Sequence, residues 1–154
     1  MSGPQYFEDV AIGAKRVAGS HTFTEDEMIR FARKYDPQPF HIDPIAAKAG
    51  PFGGLIASGW HTVSMWMKLT LASNQLDGSS GTLRAGVSPG FEDLRWHKPV
   101  RPGMTLTYSS EVIAKIELKS RPQWGIVKSR NAAHDANGEL VMRFIGKGFV
   151  ERRP

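Results

Sequence analysis

The chain has 154 residues and a formal net charge of +5, and 40% of its residues are hydrophobic and 23% charged. These values are typical of one globular domain spanning residues 1–154, which is long enough to bury a core. Cysteine is absent, which excludes disulfide bonds, thiolate nucleophiles and thiolate metal sites. The first residues lack the basic and apolar regions of a signal peptide, and no apolar run approaches the ~18 residues of a membrane helix. We therefore expect a cytoplasmic protein without a membrane partner.

The basic residues are scattered along the chain rather than gathered into one block. A nucleic-acid interface requires a continuous basic face, so we expect no nucleic-acid partner. A mild positive charge would also attract a small polyanionic ligand such as a phosphorylated cofactor. Charge alone does not choose between that interpretation and an ordinary solvated surface.

The first predicted elements are a strand and a helix. Residues 15–23 read as a short strand. Thr24 and Glu27 have the spacing of a capping box, which predicts a helix over residues 25–34. That helix must end before Pro37, because proline disfavours helix in the residue that precedes it.

The next segment places an acid and an imidazole five residues apart. Residues 36–44 read Asp-Pro-Gln-Pro-Phe-His-Ile-Asp-Pro, and the two prolines between Asp36 and His41 predict an ordered, non-helical loop. Pro44 follows Asp43, which predicts a short capped helix over residues 44–49. A carboxylate and an imidazole in a fixed geometry are suited to general acid–base chemistry near pH 7.

A long apolar helix and a series of strands follow. Residues 58–73 are apolar nearly all round, with Lys68 as their single charge, which predicts a helix buried in the middle of the fold. The pair Asn137-Gly138 predicts a hairpin between the last two strands. Together the elements predict an α+β fold in which a curved antiparallel sheet wraps one long central helix. The predicted strands in this part of the chain span residues 91–96, 105–118, 124–134 and 140–150.

Three segments follow the pattern of a known family, in the family's order. Residues 36–41 match an acid loop of the form Asp-x-Asn-Pro-x-His, with Gln38 in place of the asparagine. Residues 56–60 read Ile-Ala-Ser-Gly-Trp against Ile-Ala-His-Gly-Met, and residues 96–104 follow F-x-x-P-V-x-x-G-D with Met104 at the final position. The chain thereby resembles the MaoC-like acyl dehydratases, relatives of the (R)-specific enoyl-CoA hydratases, whose domain has the hotdog fold.

The resemblance implies hydration of a trans-2-enoyl-CoA to the (R)-3-hydroxyacyl-CoA, or the reverse dehydration. It implies that Asp36 and His41 jointly hold and activate one water, and that the backbone N–H of Gly59 donates to the thioester oxygen. It implies no metal and no cofactor beyond the coenzyme A of the substrate, and a homodimer or a dimer of dimers. The residues expected to contact the substrate are Phe40, Ser58, Trp60 and Ser64.

Two other functions stay open on the sequence. Thioesterases of this fold generally place an acid on or beside the central helix, and residues 58–73 contain neither Asp nor Glu, which argues against hydrolysis. A non-catalytic acyl-CoA-binding protein is kept open by Gln38, by Ser58 and by Met67, which stands where the hydratases have a serine. We expect His61 to be a packed core residue rather than a ligand, because no histidine of the chain has metal-ligand spacing.

Overall fold

The computed structural model describes residues 3–76 and 83–154. The helices and strands agree with the predicted α+β class. The helices are α1 (Glu25–Tyr35), α2 (Pro39–Ile42), α3 (Pro44–Ala49) and α4 (Gly59–Leu76), and the strands are β1 (Lys15–Thr22), β2 (Gly90–Trp96), β3 (Thr105–Glu117), β4 (Trp124–His134) and β5 (Leu140–Glu151).

The five strands form one antiparallel sheet in the order β1-β3-β4-β5-β2. The strand β4 pairs with β3 on one side and with β5 on the other along most of its length. The helix α4 packs against the sheet, and α1 contacts α4. The hairpin predicted at residues 137–138 is confirmed, because the Asp135 N–H donates to the Glu139 carbonyl across it and Gly138 has a φ of 79°. A sheet that wraps a single helix is the predicted architecture.

The small helices begin where the sequence places their caps. The Thr24 hydroxyl accepts from the Glu27 N–H at the start of α1, and the Asp43 carboxylate accepts from two N–H groups of α3. The Glu27 carboxylate does not complete a capping box but lies 2.5 Å from the ring of His21. The Asp43 cap therefore fixes the end of the acid-bearing segment that leads into α3.

The expectation that α4 is buried on all sides is wrong for the single chain. Met65 is buried against the sheet, whereas Trp60, Met67 and Leu71 are about half exposed. These three residues recur at helical spacing along one face, and one curved sheet covers only the opposite face. No helix among the described residues is long and apolar enough to cross a membrane.

Candidate active site

The acid segment is held by a single turn of helix rather than by an extended loop. The prediction of a non-helical loop is wrong over residues 39–42, which form α2, and the Asp43 N–H donates to the Pro39 carbonyl. Proline breaks a helix in its interior but is favoured at the first position, where its missing N–H costs nothing. Pro39 therefore starts the turn that carries His41, while Asp36 ends α1 as its C-cap.

Asp36 is bound by two side-chain donors. The Gln38 amide donates to Asp36 Oδ1 at 2.7 Å, and the Ser58 hydroxyl donates to Asp36 Oδ2 at 2.7 Å. Burial by itself would raise the pKa of Asp36, but these two hydrogen bonds, aided by the positive charge of His41 whenever its ring is protonated, lower the pKa below its ordinary value. Asp36 is therefore a carboxylate with a fixed orientation at neutral pH.

His41 is buried, and its two ring nitrogens have different roles. Nδ1 lies 2.7 Å from the Ile56 carbonyl oxygen, and Nε2 lies 3.2 Å from Asp36 Oδ2. Since a carbonyl oxygen can only accept, Nδ1 carries a proton and Nε2 is the basic nitrogen of the neutral ring. The ring therefore presents its lone pair on the side of the carboxylate, where any proton that it gains is stabilised.

The start of α4 lies next to this pair. Gly59 is the first residue of the helix, and its N–H has no acceptor among the described residues. The first N–H groups of a helix lack intrahelical partners and favour negative charge nearby. From below, the buried Tyr108 hydroxyl donates to the Thr62 carbonyl at 2.8 Å, which fixes this turn against the sheet.

The indole of Trp96 covers the other side of Gly59. Its Nε1 donates to the Gly59 carbonyl at 3.2 Å and to the Thr62 hydroxyl at 3.3 Å, and its ring meets Trp60 edge to face. A Cβ added to Gly59 would lie 2.4 Å from this ring. Glycine generally lets a ligand approach the backbone closely, but here a tryptophan of the protein itself occupies the space beside its Cα.

The predicted residues surround one cavity of about 410 Å³. Its wall includes five of them, and Ser58 lies just behind the wall, bonded to Asp36. Ser64 does not line the cavity, and its hydroxyl donates to the Trp60 carbonyl within α4. The predicted residues in the wall are Asp36, Phe40, His41, Gly59 and Trp60.

Three residues of the site had no predicted role, namely Gln38, Thr62 and Trp96, whereas Ser58 was expected to contact the substrate. Gln38 and Ser58 are two of the positions at which the motifs depart from the family pattern, and both hydrogen-bond Asp36. The role of Gln38 could have been inferred, because its amide lies two residues from the acid. Nothing local in the sequence places Trp96 or Thr62 beside Gly59, because that contact joins β2 to α4.

A second group of titratable residues lies behind α4. The buried ring of His61 stacks on Phe31 at 4.6 Å, and its Nε2 is 3.8 Å from the carboxylate of Glu27, which also contacts His21. Burial lowers the pKa of His61, against the opposing charge of Glu27. His61 is thus a packed core residue, as expected. Within residues 3–76 and 83–154, no three acidic or imidazole side chains are placed to hold a metal ion.

Comparisons with known proteins show the family to which the chain belongs. Residues 8–132 match the family model described as a MaoC like domain. The crystal structure of a MaoC-like dehydratase from Rhodospirillum rubrum superposes with a TM-score of 0.84 at 37% identity, covering 97% of this chain and 99% of that one. The 3-hydroxyacyl-thioester dehydratase Z of Mycobacterium tuberculosis is 29% identical over 114 residues, which are 71% of this chain and 73% of that protein.

The fold also resembles that of a solved structure whose fold is named. A Mycobacterium tuberculosis protein described as a double hotdog fold superposes with a TM-score of 0.73 at 20% identity, covering 99% of this chain and 46% of that one. A likeness at this identity bears on the fold alone. The sheet wrapped around α4 is a single hotdog.

Proposed function

The chain belongs to the MaoC-like dehydratase family, and from this premise we propose that it adds water to a trans-2-enoyl-CoA. The product is the (R)-3-hydroxyacyl-CoA, and the reverse reaction is the matching dehydration. The observation that carries the proposal is the 3.2 Å approach of His41 Nε2 to Asp36 Oδ2 in the wall of the cavity. A base and a fixed carboxylate at one point can hold and activate a single water.

Asp36 and His41 together give back every proton that they take up during the reaction. The water oxygen bonds to the β-carbon of the enoyl group as one of its protons moves to His41 Nε2. The π-electrons of the carbon–carbon double bond form a new double bond between the α-carbon and the carbonyl carbon, and the carbonyl π-electrons shift onto the thioester oxygen. The imidazolium that forms is stabilised by Asp36. A proton returned from the pair to the α-carbon completes the addition and restores both residues. General acid–base assistance of this kind contributes ~10²–10⁴-fold in rate.

The transient charge on the thioester oxygen requires its own donor. We assign this role to the Gly59 N–H, which lies in the cavity wall at the start of α4. The loss of one such donor typically costs ~10²–10³-fold in rate. The addition is redox-neutral, so coenzyme A enters only as part of the substrate.

Aromatic side chains form the apolar part of the site. Phe40 meets the ring of His41 at 4.6 Å and that of Phe52 at 5.5 Å, and Trp60 borders the opposite side. Apolar walls with a few convergent polar groups are typical of small-molecule sites. We assign Phe40 and Trp60 to acyl contact, and Ser58 to the orientation of the carboxylate.

We further propose that the protein is a homodimer. The strand β2 pairs with β5 on one side and has no strand neighbour on the other within the described residues. Phe91 on β2 and the face of α4 that carries Met67 and Leu71 are about half exposed. An open sheet edge beside an apolar helix face favours pairing with a second copy.

The test of the proposed function is the loss of enoyl-thioester absorbance with crotonyl-CoA and longer 2-enoyl-CoAs. We expect turnover by the wild type and a loss of at least ~10²-fold in kcat/KM for both Asp36→Asn and His41→Ala. His134→Ala is the matched control, because His134 lies at the end of β4 and outside the cavity wall. Turnover that survives both substitutions in the pair, or that falls equally in the control, would contradict the assignment.

A further inference from the structure

Trp96 is the side chain of the cavity wall that lies closest to the proposed thioester-binding group. Its ring occupies the space beside the Cα of Gly59, and its Nε1 is shared between the Gly59 carbonyl and the Thr62 hydroxyl. The ring also meets Trp60 edge to face with 5.7 Å between centroids. Both indoles line the same cavity as Gly59 and can therefore border an acyl group whose thioester oxygen binds the Gly59 N–H.

The backbone of β2 fixes the direction of the Trp96 side chain. The register of β2 against β5 shifts between Glu92 and Arg95, and Asp93 at this bulge has a φ of 54°. A non-glycine residue in the left-handed region is unusual. Here its carboxylate is held by Arg95 at 2.8 Å and by Arg143 at 3.6 Å. Bulges re-aim the residues that follow them, and the last residue of this strand packs on α4.

The indole is held firmly on one side and open on the other. Trp96 is 44% exposed and Trp60 is 51% exposed, so both rings present surface that the protein's own core does not cover. The hydrogen bonds of Nε1 fix the inner edge of the Trp96 ring to the first turn of α4. The ring can therefore act as a wall towards a ligand, because the two hydrogen bonds of Nε1 orient it.

We propose that Trp96 is a specificity-determining residue that limits the length of the acyl group beside the reacting double bond. This inference rests on one part of the proposed function, namely that the ligand is an acyl thioester whose oxygen binds the Gly59 N–H. The bulk of the ring excludes longer acyl groups, and its N–H keeps the ring in place. A smaller side chain at this position opens the wall without touching Asp36 or His41.

Two measurements test this assignment. The first is kcat/KM for crotonyl-CoA and trans-2-decenoyl-CoA, and the second is calorimetric Kd for butyryl-CoA and decanoyl-CoA, which cannot be hydrated. For Trp96→Ala we expect the preference for the ten-carbon over the four-carbon ligand to rise at least ~10-fold over the wild type in both, since one methylene in an apolar pocket is worth ~10–200-fold. Trp96→Leu serves if the alanine variant does not fold.

Two further variants separate the bulk of the ring from other effects. Trp96→Phe keeps an aromatic ring but loses the N–H, and we expect its chain-length ratio to stay within a few-fold of the wild type. Trp124→Ala removes an indole at the other end of the sheet, where it pairs with Phe149 outside the cavity. We expect no change of ratio in that control.

Failure of this inference can be distinguished from failure of the proposed function. A ratio that is unchanged in Trp96→Ala, or that shifts equally in Trp96→Phe or Trp124→Ala, overturns the role of the Trp96 ring. An absence of turnover with retained binding overturns the hydratase function, while the ratio of the two dissociation constants still decides the role of Trp96. An absence of binding by the wild type overturns both.

Discussion

Gly59→Ala tests the packing at the start of the central helix. The added methyl group would lie 2.4 Å from Cε2 and 2.7 Å from Cζ2 and Nε1 of Trp96. Because carbon atoms pack at ~3.5–4.0 Å, the ring must retreat by more than ~1 Å. Overpacking of this kind costs ~1–3 kcal/mol, and each weakened Nε1 hydrogen bond costs ~0.5–1.5 kcal/mol. Alanine recovers up to ~1 kcal/mol through its helix propensity.

These terms combine to ~1–6 kcal/mol, and the net loss in the free energy of unfolding that we expect by urea denaturation is ~1–3 kcal/mol. The lower end is favoured because the ring is 44% exposed and can move outward. Gly148→Ala is the matched control, since a Cβ at Gly148 meets nothing within 4 Å. Removal of the ring in Gly59→Ala/Trp96→Ala should relieve the clash, with a coupling energy of ~1–2 kcal/mol. A stability of Gly59→Ala equal to that of the control, or no coupling in the double variant, would refute this packing.

Three other perturbations follow from the structure. Ser58→Ala removes a donor to the Asp36 carboxylate, so the pKa of Asp36 should rise in an NMR titration and kcat/KM should fall ~10-fold, whereas Ser73→Ala should change neither. Burial lowers the pKa of His61. Just below pH ~6.5 the His61 ring therefore binds a proton in the unfolded chain but not in the folded chain. Stability should therefore fall as pH drops below ~6.5, with a smaller slope in His61→Phe; equal slopes would contradict this. Phe91→Lys at the free edge of β2 should raise the dimer dissociation constant at least ~10-fold in sedimentation equilibrium, and a monomeric wild type would disprove the dimer.

Most of the elements could be predicted because their signals are local. The bounds of α3 follow from an acid cap, a proline at the first position and a terminating glycine, and the structure has them unchanged. The last two strands follow from the hairpin pair Asn137-Gly138 between them. The turn α2 was missed because proline has two opposite effects on a helix, and which one applies depends on the hydrogen bonds of the residues before it.

The candidate site could be predicted only in part. The acid and the imidazole lie on one short segment, so their proximity was local information. The exposed face of α4 was not predicted. A helix that is apolar on all sides must be covered by other protein, but its sequence does not show whether the same chain covers it. The contact of Trp96 with Gly59 depends on a bulge in β2 and on the crossing of a strand over a helix, and neither leaves a local pattern.

Two of the departures from the family pattern illustrate the same limit. On the sequence, Gln38 and Ser58 weakened the case for a catalytic pair. In the structure both donate to the carboxylate of Asp36 at 2.7 Å, so both belong to the same hydrogen-bond network as the acid. Only the structure shows whether a substitution removes a contact or supplies a contact to the same group from a different side chain.

The most direct test of the central claim is the fate of solvent oxygen. Crotonyl-CoA is incubated with the wild-type protein in H₂¹⁸O, and the products are analysed by mass spectrometry and chiral chromatography. We predict one ¹⁸O at carbon 3 of (R)-3-hydroxybutyryl-CoA, no release of free coenzyme A, and loss of the label in His41→Ala. Label in a free carboxylate with release of coenzyme A would show thioester hydrolysis, and unlabelled, unchanged crotonyl-CoA would show that the protein does not hydrate this substrate; either result would contradict the account.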